Sequence, residues 1–309
     1  MKGQSMSDIK ILVATHKEFY RPENPLIFQV QVGSALADHH IEGIFHDDEG
    51  DNISKKNRSY CELTAQYWAW KNLQADYYGF FHYRRYMSFK QYFPVTNGKI
   101  QLKRWTPYLE ADSLEGDLSP YDLDEIHMRQ VIEQYDVITV LSERMDVTAY
   151  EQFGQFHRIN DLDRAILILK ELYPEQTEAC DSYMQSKYIY FCNMYIMKRE
   201  CFHAYMNWVF PILEKFESQT DFSGYSDKEK RVTGYIAERL FGVYYTWLKQ
   251  QGQVKCAEVP YVIFHQNVRE FQFGKRGPKF TVDMRKVNQL IPAGTTRRRF
   301  VRRLLRREL

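Results

Sequence analysis

Short apolar runs recur along this chain with helical stretches between them, and that alternation restricts the fold more than any other feature. Ile9 to Ala14 (I-K-I-L-V-A) reads as a buried strand that ends in the polar turn Thr15-His16-Lys17. Pro22 and Pro25 mark a loop, and Ile41 to Phe45 is a second short apolar run. Glu62 to Leu73 has helical character, and Tyr77 to Phe81 is a strand that runs into His82-Tyr83-Arg84-Arg85-Tyr86. Asp122 is expected to cap a helix that reaches about Gln134, and Asp136 to Leu141 is another strand. Asn160 to Leu172 is helical, Tyr188 to Met197 a strand, Glu200 to Phe216 and Thr233 to Gln250 helices, and Val259 to Phe264 a last strand. Such a pattern predicts an α/β fold with a mainly parallel central sheet flanked by helices. Residues 1–272 read as one domain and 273–309 as an extension that ends in a basic helix.

Charge sets off the end of that extension. The formal charge of +2 splits into +6 on the last 13 residues and hence −4 on the rest. The tail, R-R-R-F-V-R-R-L-L-R-R-E-L, gathers Phe300, Val301, Leu304, Leu305 and Leu309 near one helical face among seven Arg. That is the pattern of an interfacial helix on an anionic membrane, with nucleic-acid binding and a solubilising tail as the competing readings. Five scattered Cys with no C-x-x-C pair argue for a reducing compartment and against a structural zinc site. No run of 18 apolar residues and no apolar leader is present, so a cytoplasmic protein is expected, held on the inner face of the plasma membrane by residues 297–309.

The most informative segment is Tyr77 to Tyr86. In α/β folds ligands bind beyond the carboxyl ends of strands. Here an apolar strand delivers His82, Arg84 and Arg85 to such an edge. Guanidinium forks suit a diphosphate and can stabilise it as a leaving group, a task that otherwise falls to a divalent cation. Thr15, His16 and Lys17 form a second candidate phosphate turn, and a solvated turn would look the same. The loop Asp47 to Asn57 could read a uridine and ribose through Asp51 and Asn57, or hold a cation through Asp47, Asp48 and Asp51. The strings Asp122-Leu123-Asp124 and Asp161-Leu162-Asp163 sit at helix starts, where carboxylates cap amides. His157 and Asp161 share a face if their helix begins early, and could grip sugar hydroxyls or be structural. Asn193 inside an apolar strand needs a partner, from a ligand or from the protein. Glu238 inside an apolar helix is a candidate general base, with a buried pair to Arg239 as the alternative. P-loop, G-x-G-x-x-G, H-E-x-x-H and G-x-S-x-G patterns are absent, so the usual ATPase, dehydrogenase, zincin and hydrolase signatures are missing.

The runs D-N-I-S-K-K-N (51–57), Y-C-E-L-T-A-Q-Y-W-A-W-K-N (60–72), G-F-F-H-Y-R-R-Y (79–86), N-M-Y-I-M-K-R-E-C-F (193–202) and R-V-T-G-Y-I-A-E-R-L-F (231–241) resemble a bacterial family. That family was first catalogued as a domain of unknown function and occurs in capsule, exopolysaccharide and O-antigen gene clusters. Its members look like glycosyltransferases, and some are associated with galactofuranose transfer. The resemblance spans roughly residues 8 to 270 and leaves out the basic tail.

What it implies is a GT-A-like nucleotide-diphospho-sugar fold. The implied donor is a UDP-sugar, and the implied acceptor a saccharide linked to polyprenyl diphosphate. Thr15, His16, Lys17, Asp51, Asn57, Tyr60 and Tyr83 would seat the nucleotide sugar. His82, Arg84 and Arg85 would hold the diphosphate, Glu238 would act as base, and His157, Asp161 and Asn193 would meet the acceptor. The D-x-D of GT-A enzymes normally follows a middle strand, where this chain has His82-Tyr83-Arg84. No metal is therefore expected, with Mn2+ or Mg2+ on Asp47, Asp48 and Asp51 as the alternative. No nucleic acid is expected as a partner. A non-catalytic carbohydrate-binding or assembly protein of the same fold is the second reading.

Overall fold

A computed structural model describes residues 6–96, 99–100, 107–111, 113–115, 117–265, 268–272 and 279–283. The first strand, β1 (Ile9–Thr15), pairs in parallel on one side with β2 (Ile27–Gln31) and on the other with β4 (Tyr77–His82). Ile11, Leu12 and Val13 are no more than 1% exposed, so both faces of this strand are covered. That is why the sequence reads as a continuous apolar run rather than an alternation. The short β3 (Phe45–His46) extends the sheet beyond β2. Past β4 come β12 (Tyr195–Lys198), β9 (Val137–Val140) and β13 (Cys256–Val259). Only β12 among these runs against its neighbours, since it pairs antiparallel with both β4 and β9 while β13 is parallel to β9. The central sheet is therefore mostly parallel, as the alternation predicts.

Two further groups of strands decorate it. β5 (Arg85–Met87) folds back from β4 in a hairpin and pairs with β14 (Tyr261–Phe264), which also pairs with β8 (Tyr108–Ala111). β6 (Phe93–Thr96) adds to β13 and carries β7 (Lys99–Ile100). β10 (Glu143–Arg144) pairs with β11 (Tyr188–Ile189), and β15 (Val268–Gln272) with β16 (Lys279–Asp283). The last hairpin joins residues on either side of the boundary expected at 272.

Helices cover both faces of the sheet. The larger core gathers α2 (Leu63–Asn72), α5 (Ile159–Leu172), α6 (Thr177–Met184), α7 (Arg199–Ser218) and α8 (Val232–Gln251), with α1 (Asn57–Tyr60) and α4 (Ala149–Gly154) at its edge. On the opposite face α3 (Glu125–Ile132) packs with β5 and β14 over the apolar side of β1 and β9. Each large side chain fully buried here contributes about 1.5–3 kcal/mol of hydrophobic stabilisation. The aromatic surplus is largely explained by these cores: Tyr60, Tyr78, Tyr86, Tyr183, Tyr195, Tyr205 and Tyr245 are all nearly inaccessible.

Several expectations change. The loop after Pro25 contains a strand, β2, which the prolines concealed. Most of Ile41 to Phe45 is turn, and only Phe45 enters β3. Asp124, not Asp122, caps α3, its carboxylate accepting the N–H of His127, while Asp122 itself is left-handed (φ 49°). The run Tyr188 to Met197 is not one strand. It breaks at Cys192 (φ 81°) and Asn193 (φ 47°), two consecutive non-glycine residues in the left-handed region. Val259 to Phe264 is likewise two strands that meet at Pro260. The basic tail, residues 297–309, lies outside the described residues. Among the described residues no helix is long and apolar enough to cross a membrane.

Candidate active site

The parallel strands β1, β2, β4, β9 and β13 all end at one edge of the sheet, and a cleft of two joined compartments opens there. Ala14, Cys61, Glu62, His82 and Arg231 border both compartments. The outer one, about 680 Å³, is also lined by His16, Val32, Asn57, Arg58, Tyr83, Arg84, Asp227 and Lys230. The inner one, about 480 Å³, adds Gln66, Arg85, Glu143, Asn193, Tyr235, Glu238 and Tyr261 among others.

The β4–β5 hairpin divides its side chains between the two. His82 pairs with Arg85 across a two-residue turn of Tyr83 and Arg84. Arg84 points into the outer compartment and Arg85 into the inner one. The two arginines expected to grip one diphosphate thus line different compartments, Arg84 from the turn itself and Arg85 from the first position of β5. Among the described residues neither guanidinium has an ion pair or a side-chain hydrogen bond with an acid. Arg84 lies over the Tyr83 ring at 5.1 Å, and Lys17 over the same ring at 5.6 Å. Tyr83 is itself packed edge-on by His16 and Phe19.

Helix α8 supplies the opposite wall. Arg231 at its N-cap, Gly234, Tyr235 and Glu238 lie on one face of its first two turns. Gly234 leaves room for the turn before α2, since a Cβ there would stand 3.2 Å from Cys61 Sγ. The positive end of α8 faces the outer compartment and adds to the attraction of Arg58, Arg84, Lys230 and Arg231 for anions. Arg231 Nε donates to Cys61 Sγ at 3.3 Å, and Lys230 pairs with Asp227 at 3.6 Å.

The inner compartment holds three carboxylates, each accepting a hydrogen bond from the protein. Glu238 Oε1 accepts the backbone N–H of Cys192 at 2.6 Å. Glu62 Oε1 accepts from Asn193 Nδ2 at 2.9 Å. Glu143 accepts from the Tyr261 hydroxyl at 2.8 Å. The left-handed pair Cys192-Asn193 therefore places two carboxylates at once, which accounts for a costly backbone conformation at this point. Burial raises the pKa of Glu238 and Glu62 adds to the rise, while Arg239, the Cys192 N–H and Arg85 oppose it. Arg239 stands behind Glu238 with Nη1 3.6 Å from Oε2, buried against Phe153 and Phe191 and donating to Gln152. The Glu238–Arg239 pair, one of the two alternatives in the sequence, is present.

Other predicted residues fall elsewhere. Thr15 is buried and donates to the Lys17 carbonyl, so its hydroxyl shapes the turn. His16 and Asn57 line the outer compartment, but the Asn57 amide is engaged by Cys61 O and Thr64. Tyr60 is in the core, stacked on Phe210, with its hydroxyl on Glu217. Asp51 accepts from Tyr67, and neither compartment includes it. His157 stacks on the outer side of Tyr235 and does not line the cleft; burial first and then Arg239 depress its pKa to about 4. Asp161 is buried and accepts from Tyr225. It does not share a ligand face with His157, because α5 begins only at Ile159.

The acidic loop does not fit a divalent cation. Asp47 is fully buried and accepts from the Gly33 and Ser34 amides and the Ser54 hydroxyl, which tie β2 to the next turn. Asp48 faces His40. Among the described residues no three His, Cys, Asp or Glu side chains converge on a metal position.

Sequence reasoning missed Arg231, Glu62 and Glu143. The spacing Arg231, Tyr235, Glu238 was a usable signal, since i, i+4, i+7 is one helical face. Glu62 and Glu143 come from separate segments and carried no local signal.

No curated protein matches the chain. Its fold matches the apo structure of WbbM, a bifunctional glycosyltransferase, with a TM-score of 0.74 and 32% identity over 83% of this chain. The chain spans 45% of the length of that protein. The architecture is thus the GT-A-like one that the resemblance implies. The family described as a domain of unknown function, DUF4422, matches residues 10–251, and the chain belongs to that family.

Proposed function

We propose that this protein is a glycosyltransferase that moves a sugar from a UDP-sugar to a saccharide acceptor during assembly of a bacterial surface polysaccharide. One observation carries the reading: a cationic compartment and a carboxylate-lined compartment meet at His82, beyond the carboxyl ends of the parallel strands. Arg84, Arg231 and Lys230 would hold the diphosphate in the outer compartment. The sugar would pass His82 into the inner one, where Arg85, Glu62 and Asn193 surround it. Glu238 would take the proton of the acceptor hydroxyl. The likeness to WbbM supports the activity class, and the family's association with galactofuranose makes UDP-galactofuranose the first donor to try. A polyprenyl-diphosphate-linked acceptor and a membrane-bound tail at 297–309 belong to the same proposal.

The test is calorimetry with UDP in EDTA and then in manganese, followed by UDP release from a panel of UDP-sugars. UDP binding in EDTA and donor-dependent release support the reading. UDP binding without release from any donor and acceptor would favour a non-catalytic carbohydrate-binding protein. A strict need for manganese would overturn the role given to the arginines.

A further inference from the structure

The turn that closes the β4–β5 hairpin fixes the chemical state of a ring as well as its place. The backbone N–H of Arg84 points at His82 Nδ1 at 3.2 Å. A backbone N–H can only donate, so Nδ1 must offer its lone pair, and a neutral ring then carries its proton on Nε2. Guanidiniums approach the ring from two elements, Arg84 and Arg85 from the hairpin and Arg231 from α8, and His16, its own pKa lowered first by burial and then by Lys17 and Arg84, stands beyond the end of β1. Burial, the largest cause, and these charges depress its pKa to about 3. The carboxylate of Glu62 borders both compartments and that of Glu238 the inner one, and among the described residues His82 forms no ion pair with either. The ring leans on Tyr83 at a centroid distance of 4.3 Å, and it borders both compartments.

We infer that His82 is a neutral Nε2–H donor that hydrogen-bonds the leaving diphosphate oxygen without giving up its proton. The inference rests on the glycosyl-transfer reading above. In the step, the bond between the anomeric carbon and the β-phosphate oxygen breaks, and both electrons stay on that oxygen. The acceptor oxygen bonds to the anomeric carbon, and its proton passes to Glu238. UDP leaves with the negative charge, which the neighbouring guanidiniums and the strengthening Nε2–H bond stabilise. A proton donor to the leaving group is not needed, because the cations already carry the charge and a diphosphate leaves as an anion.

Ring 15N NMR of the free protein reads the tautomer directly, with His82 assigned by its loss in His82→Gln. The expected spectrum has Nε2 protonated, Nδ1 unprotonated and no titration between pH 5 and 8. On UDP addition the Nε2 signal moves. UDP affinity then separates two variants: Gln places an amide N–H near the Nε2 position, and Asn does not. His82→Asn should weaken UDP about tenfold or more, as expected for a hydrogen bond to a charged group. His82→Gln should stay within about threefold. A proton on Nδ1, a titration near the ordinary histidine value, or equal losses in the two variants would overturn the inference and leave the transferase reading standing. Wild-type protein that binds no UDP would overturn that reading, and this inference with it.

Discussion

The two compartments of the cleft are built on opposite plans. The outer one gathers Arg58, Arg84, Lys230 and Arg231 on turns and a helix start, mostly exposed, with a single close acid pair between Lys230 and Asp227. The inner one gathers the half-buried Glu62, Glu143 and Glu238 from three separate elements, and each carboxylate accepts a hydrogen bond from its own donor. Exposed cations attract an anion from a distance and tolerate small shifts of it. Pinned carboxylates do little at range, but they set where a hydroxyl must lie. The outer compartment is therefore suited to affinity and the inner one to geometry.

The largest effect should come from emptying the outer compartment of its two facing guanidiniums. Arg84→Ala with Arg231→Ala is expected to weaken UDP by about 100-fold or more, with a shallower salt dependence of what remains. Calorimetry at two salt concentrations checks it, and an unchanged affinity would erase the distinction between the compartments. Next comes the inner compartment. Glu238→Gln should lower turnover by about 10²–10⁴-fold while UDP affinity stays near wild type. A parallel loss of both would mean that the compartments are not separable. Arg239→Met should be smaller and pH-dependent. Burial already raises the Glu238 pKa, and Arg239 opposes that rise. Without the guanidinium the carboxylate stays protonated to higher pH, so the acid limb of the rate profile should move up. A uniform drop at all pH values would point to packing instead. Asp51→Asn should do least. Its carboxylate meets Tyr67 outside both compartments, so UDP affinity should stay within about twofold and stability within about 0.5 kcal/mol.

Much of the outer compartment was legible because its chemistry is local. His82, Tyr83 and Arg84 are consecutive, and the apolar strand before them announces the edge they reach. The inner compartment was less so. Glu238 drew attention as an acid in an apolar helix, but Glu62 looked like an ordinary helix-start residue, and Glu143 had no pattern around it. Their convergence depends on β9 ending and β12, α2 and α8 beginning at one place, which no local spacing reveals. The break at Cys192-Asn193 was hidden for a different reason. A left-handed pair of non-glycine residues is disfavoured locally and exists only because Glu238 and Glu62 engage it from other elements. The loop from Asp47 to Asp51 shows the converse error: carboxylates that look like ligands can serve backbone amides of a neighbouring turn.

The hairpin at Tyr83-Arg84 works like the reading frame of the site. With only two residues between His82 and Arg85, the length of the turn fixes where β5 starts and so which guanidinium lines which compartment. One residue inserted after Arg84 would shift that frame, turn the following arginine toward the outer compartment and leave the inner one without its own cation. A substitution changes one contact here, whereas a single insertion would rewrite the division of charge between donor phosphate and transferred sugar. Relatives that differ in length at this turn should therefore differ in chemistry more than relatives that differ only in residue type.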